Sequence, residues 1–152
     1  MACWLMKSEP DELSIADLAA APATAFVWTG VRNYQARNFM RDAMAVGDTV
    51  LFWHSSCEKP GLYGLAEVAA TGLVDPTQFD PASPYFDPKA THAAPRWQTV
   101  SVRFAKQTAY LSPAALRAIP GLEGMTVLKR GNRLSITPVT DEECRILMEI
   151  LA

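Results

Sequence analysis

Five prolines, Pro76, Pro81, Pro84, Pro88 and Pro95, fall between Thr71 and Arg96, interleaved with Asp75, Asp80 and Asp87. Each fixes φ and removes a backbone donor, so the stretch cannot form a helix interior or a central strand. An irregular segment of that length is either functional or disordered. Phe79, Tyr85 and Phe86 predict that it packs down onto the body of the molecule. Regular structure must then come from short elements on either side.

Those elements are readable. Ala2 to Lys7 is apolar and aromatic and predicts a first strand, ended by Ser8-Glu9-Pro10. Ser14 and Asp17 have capping spacing for a short helix. Phe26-Val27-Trp28 predicts a second strand, broken by Thr29-Gly30. Asn33 to Ala45 has helical spacing, with Tyr34, Arg37, Met40, Arg41 and Met44 recurring. Asp48 to Ser55 is a strong strand, and Leu62 to Ala70 returns from it after the Pro60-Gly61 turn.

Trp97 to Tyr110 alternates as a strand. Ser112-Pro113 opens a short helix that Pro120-Gly121 ends. Met125 to Leu128 is a brief strand or helical turn, and Leu134-Ser135-Ile136 a last strand. Thr140 and Glu143 form a capping box for a C-terminal helix. About six short strands with small helices do not suit a doubly wound parallel sheet. The expected class is α+β, a small, strongly bent, mostly antiparallel sheet or barrel with peripheral helices. The 152 residues, without repeat or linker, fit a single domain, 1–152.

Composition narrows the function. The net charge of -2 and a pI of about 5.6 argue against coating nucleic acid by charge alone. They allow a pocket that grips one nucleotide beneath a local basic rim. Bases cluster in Arg32–Arg41, Arg96–Lys106 and Lys129–Arg133. No apolar run approaches a membrane span, and the N-terminus reads as a strand with no export signal, which predicts a cytoplasmic protein. Cys3, Cys57 and Cys144, with His54 and His92, have no metal-ligand spacing. Phosphate loop, dinucleotide fingerprint and nucleophile elbow are all missing, so no cofactor is expected.

The least ordinary run is Trp28 to Met40, which mixes aromatics, arginines and amides. It suits a surface that holds something flat and polar. The plainer reading is a helix start with core aromatics and solvated arginines. Lys7-Ser8, Trp28-Thr29 and His54-Ser55 each end a predicted strand, and such ends can gather at one rim to build a pocket. Trp97, after the proline-rich stretch, can add a second wall. Trp4 and Trp53 lie inside strands and are expected in the core. A hydrolase or transferase using Ser55, His54 or Cys57 is a rival reading, although neighbouring strand residues point to opposite faces.

Several runs in order resemble the EVE domain family. They are Trp4-Leu5-Met6-Lys7-Ser8-Glu9-Pro10, Trp28 to Asn38, Phe52-Trp53-His54-Ser55, Asp87-Pro88-Lys89, Pro95-Arg96-Trp97 and Arg133 to Thr140. The resemblance covers essentially the whole chain. It implies a PUA-like fold, a bent β-barrel with helices outside, and kinship with YTH domains. It also implies a non-enzymatic reader of modified bases, notably modified cytosines in DNA, with Lys7, Ser8, Trp28 and Thr29 at the pocket. Thr29 stands where many relatives carry an acid, and Trp53 where tyrosine is commoner.

The resulting expectation is an aromatic pocket with Trp28 and Trp97 as stacking walls. Ser8, Thr29, Asn33 and Ser55 would meet base edges. Lys7, Arg32, Arg37 and Arg96 would meet phosphates, and Tyr34, Gln35 and His54 would stand close by. The expected partner is nucleic acid carrying a modified base, DNA ahead of RNA. An RNA-binding module that reads RNA structure or modified RNA is the alternative.

Overall fold

The computed structural model describes residues 1–151. Six strands form one sheet: β1 (Cys3–Ser8), β2 (Ala25–Val27), β3 (Thr49–His54), β4 (Gly61–Val74), β5 (Gln98–Leu111) and β6 (Ile136–Val139). Their order is β2-β5-β4-β3-β1-β6. All neighbours are antiparallel except β1 and β3, which are parallel. The helices are α1 (Ile15–Ala20), α2 (Tyr34–Asn38), α3 (Pro113–Arg117) and α4 (Asp141–Leu151). The α+β architecture expected from the sequence holds, with an open hydrogen-bonded ladder edged by β2 and β6.

The central strands are buried on both faces, which is why Asp48 to Ser55 reads as a continuous apolar run. Trp4, Met6, Val50 and Phe52 point into one core with Trp28, Val100 and Val102. Cys3, Leu5, Leu51 and Trp53 point into a second core, closed by Leu116, Leu122 and Leu147. Trp4 and Trp53 are therefore core residues, as expected. Trp4 keeps its polar edge satisfied by donating Nε1–H to the buried Asp48, 3.0 Å away.

The long β4–β5 pair curls the sheet. Its register slips at four places, between Leu62 and Gly64, Leu65 and Ala66, Val68 and Ala70, and Ala70 and Leu73. Each irregularity bends and twists the ladder. As a result β1 and β2, with three strands between them in the order, face one another across a cleft. The same pair corrects the extent of the proline-rich loop. β4 does not stop at Ala70 but continues to Val74, pairing Leu73 with Thr99 and Val74 with Gln98. Gly72, at φ +70°, takes up the bulge there, so alternation is interrupted while the strand is not.

The expected helix over Asn33–Ala45 is α2 followed by a π-helical turn, Phe39–Ala43. The Met125–Leu128 segment contains a 3-10 turn, Thr126–Leu128. The last strand runs later than expected, through Pro138, which an edge strand tolerates.

Candidate functional site

The cleft is built by strand ends. Because β1 and β3 are parallel and in register, with Ser8 opposite His54, their C-terminal ends coincide. Ser55 N–H donates to Ser8 O across them at 2.9 Å. The Ser8 hydroxyl donates to Leu13 O at 2.7 Å, which tightens the turn into α1 and leaves its lone pairs free to accept. On the far side Trp28 N–H donates to Val100 O at 2.9 Å, extending the β2–β5 pairing. Lys7 N–H donates to Ser135 O, 2.8 Å away, and brings the approach to β6 alongside.

The open cleft has a volume of about 530 Å3. Lys7, Ser8 and Glu9 line it from the end of β1, Trp28, Thr29 and Gly30 from the end of β2, and Ser55 and Ser56 from the end of β3. Phe26, Leu13 and Val31 give apolar surface, and Tyr85, Glu12, Arg133 and Ser135 complete the wall. Burial holds the Lys7 ammonium below the usual lysine range. None of the ion pairs among the described residues involves it. It is thus a donor with no carboxylate partner of its own.

Tyr85 belongs to the proline-rich loop, and its position is fixed by a brace. Arg32 lies against it, with Nε and one terminal nitrogen donating to Tyr85 O at 3.0 and 2.7 Å. The remaining donors reach Val31 O at 2.8 Å, the Asp75 carboxylate at 3.0 Å and the Thr77 hydroxyl at 3.0 Å. Asp75 also accepts from Gly30 N–H at 2.9 Å. The Tyr85 hydroxyl donates to Glu12, and burial together with that carboxylate pushes the phenol up to about 12. Tyr85 packs down as the loop's aromatic content predicts and Phe79 stacks on His92, whereas Phe86 stays exposed.

The structure divides the residues singled out in the sequence into two groups. Lys7, Ser8, Trp28, Thr29, Ser55 and Arg32 line the cleft. Arg32, expected to meet phosphate, has its donors committed to protein acceptors. Trp28 reaches the cleft from the core, with its ring edge-on to Phe52 at 5.6 Å. Asn33, Tyr34, Gln35, His54, Trp97, Arg37 and Arg96 lie outside the lining.

Asn33 caps α2, accepting from Ala36 N–H at 3.0 Å, and Gln35 is exposed on that helix. His54 is buried behind the cleft. Its Nε2 accepts from Ile15 N–H at 3.2 Å and its ring stacks on Tyr63 at 4.1 Å. Burial lowers its pKa, so the ring is held neutral with the remaining proton on Nδ1. That commitment leaves the Nε2 of His54 no access to Ser55 or Cys57 as a base.

Trp97, expected as a second wall, is buried beside the cleft and donates Nε1–H to Asp87 at 2.9 Å. Tyr34, Arg37 and Arg96 cluster around it. Glu9, Glu12, Ser56, Tyr85, Arg133 and Ser135 were not among the expected site residues. For Arg133 and Ser135 the signal was their place in a recognisable run. For Tyr85 it was the aromatic content of the loop.

The curled six-stranded sheet with helices outside it is a PUA-like fold. Residues 2–150 match the EVE domain, and the chain belongs to that family. It is 38% identical over 165 residues to thymocyte nuclear protein 1 of Mus musculus, covering 97% of this chain and 72% of the mouse protein. A crystal structure of a Pseudomonas syringae protein superposes with a TM-score of 0.91 at 43% identity, covering 98% of this chain and 99% of the other. The human THYN1 protein, crystallised in complex with 5-methylcytosine containing DNA, superposes with a TM-score of 0.89 at 37% identity, covering 99% and 97%. No helix among the described residues is long and apolar enough to cross a membrane.

Proposed function

We propose that this chain is a non-enzymatic reader of DNA that takes a modified cytosine, extruded from its stack, into the cleft between the ends of β1, β2 and β3. The observation that carries this reading is the relative of nearly the same fold crystallised with 5-methylcytosine containing DNA. The contents of the cleft support it. Trp28 and Tyr85 give aromatic surface, and Leu13, Phe26 and Val31 give apolar volume for a methyl group.

A cytosine edge presents one amino donor and two acceptors. Lys7 donates to an acceptor. The Ser8 lone pairs and the exposed Glu9 carboxylate accept from the amino group. Thr29 and Ser55 add hydroxyls at the mouth, and Arg133 adds a cation for the backbone. An extruded base suits such a site because unstacking is repaid by hydrogen bonds and stacking inside it. The three free cysteines fit the reducing cytoplasm expected for the chain.

The test is a titration against DNA duplexes carrying 5-methylcytosine, 5-hydroxymethylcytosine or N6-methyladenine, with unmodified duplex and folded RNA as controls. The expected result is tighter binding of a modified cytosine than of cytosine. Equal affinity for every duplex overturns modification reading. Tightest binding to folded RNA, indifferent to modification, moves the chain to the RNA-binding class.

A further inference from the structure

Outside the cleft, Tyr34 is about half exposed, at 51%. Its inner face stacks on the buried Trp97, with centroids 4.8 Å apart and planes 17° from parallel. The Arg37 guanidinium is 4.7 Å from the Tyr34 centroid and 5.9 Å from that of Trp97. A group lying on the outer face of Tyr34 would be much farther from Trp97 than that. Arg37 therefore sits beside the ring pair, and the outer face of Tyr34 is open.

The surroundings are cationic. Arg37 makes three side-chain bonds, two to Asn38 and one to Arg96 O, which leaves part of its fork free. Arg96 makes one, a long contact of 3.4 Å to the Tyr34 hydroxyl. Both contrast with Arg32, whose fork is committed. Of the nearby acids, Asp42 pairs with Arg41 at 2.8 Å, and Asp87 accepts from Trp97 but keeps its charge, which leaves Arg37, Arg41 and Arg96 in excess over the two carboxylates. The platform also adjoins the cleft. The Arg32 guanidinium lies 5.6 Å from the Tyr85 centroid on the cleft wall and 5.1 Å from that of Trp97. One side chain separates the two sites.

We infer that the outer face of Tyr34, backed by Trp97 and flanked by Arg37 and Arg96, is a second stacking site that takes an unpaired nucleobase next to the one in the cleft, with its phosphate on the two arginines. This rests on the reading of the chain as a nucleic-acid binder. An open ring face accepts any base, so the site adds affinity and no sequence preference. Its ring is held from beneath, so little side-chain freedom is lost on binding.

The experiment measures the affinity of wild type, Tyr34→Ala, Tyr34→Trp and Arg96→Gln for the same single-stranded oligonucleotide, whose bases are all unpaired, with 5-methylcytosine or cytosine at one position. A second modified oligonucleotide has abasic sites on both sides of that position. Tyr34→Ala is expected to weaken both intact oligonucleotides about 5- to 100-fold, the loss of one stacked base, and to leave their ratio unchanged. It has no effect on the abasic ligand. Tyr34→Trp retains wild-type affinity, and Arg96→Gln lowers the salt dependence of binding. Wild-type affinity in Tyr34→Ala overturns the proposal, and so does a change confined to the ratio, which would put Tyr34 in the cleft. If wild type shows no preference for 5-methylcytosine while Tyr34→Ala still weakens intact strands alone, the platform stands and the cleft reading falls.

Discussion

The guanidinium of Arg32 and the carboxylate of Asp75 lie 3.0 Å apart, with only 2% of the Asp75 side chain exposed. The pair ties the exit of β2 to the proline-rich loop, because the same carboxylate accepts from Gly30 and Thr77. Removing one member leaves the other buried without its counter-charge. Arg32→Ala should lower the unfolding free energy by about 2–3 kcal/mol, given that the arginine is partly exposed. Arg32→Lys should recover little of it, since an ammonium cannot reproduce the fork. Urea denaturation of the three proteins measures both.

Gly30 has φ +87°, and a Cβ added there would stand 2.7 Å from the Tyr85 ring. The conformation and the contact act together. Gly30→Ala should cost about 1–3 kcal/mol in stability from the backbone alone, and should push Tyr85 off the cleft wall. Weakened binding of DNA alongside a lowered thermal midpoint is the expected pair of results. An unchanged midpoint would show that neither constraint operates.

Lys7 separates stability from binding. Its pKa is lowered by burial, so the charged form is less favourable in the folded than in the unfolded chain. Folding stability is therefore reduced while lysine is charged in both states. It rises as pH climbs through the folded pKa towards the unfolded value of 10.5. Lys7→Met keeps the stem and removes the charge. It should raise stability at pH 7 and flatten that alkaline slope. The same substitution should weaken binding of modified DNA roughly 10- to 100-fold, the loss of a charge-assisted hydrogen bond.

His54 gives a slope on the acid side. Burial lowers its pKa from 6.5 in the folded chain, and the Ile15 N–H requires an unprotonated Nε2. Between the folded and unfolded pKa values the unfolded chain binds more protons, so stability falls as pH drops below 6.5. His54→Gln, whose carbonyl can still accept from Ile15, should remove that part of the decline. Thermal midpoints from pH 8 to 5 compare the two proteins, and parallel curves would show that His54 does not contribute.

What the sequence disclosed was mostly local. The capping box of Ser14 and Asp17 forms, as does that of Thr140 and Glu143, because cap geometry is decided within four residues. The β3–β4 pair forms across the short connection of residues 55–60 for a similar reason, although Gly61, expected in the turn, already belongs to β4 and pairs with His54. The gathering of the Lys7, Trp28 and Ser55 ends at one cleft was also readable from where each strand breaks. The partners of individual charges were not. Arg32 looks equally suited to a phosphate or to a buried acid, and Asp75 is 43 residues away. Trp97 likewise begins a strand in sequence, yet only the packing of Tyr34 and Arg32 decides that its ring is enclosed. The continuation of β4 to Val74 was hidden by a bulge that breaks the alternation.

The brace around Asp75 bears on kinetics as well as stability. Tyr85 sits on a loop, but four hydrogen bonds from one side chain, two to Tyr85 O and one each to Asp75 and Thr77, hold that loop against the sheet. A wall fixed during folding has little ordering left to do when a ligand arrives. Under the proposed function the slow event in association then belongs to the DNA, which must present an unstacked base. On-rates should follow the ease of opening of the base pair, fastest at a mismatch, while contacts inside the cleft set the residence time.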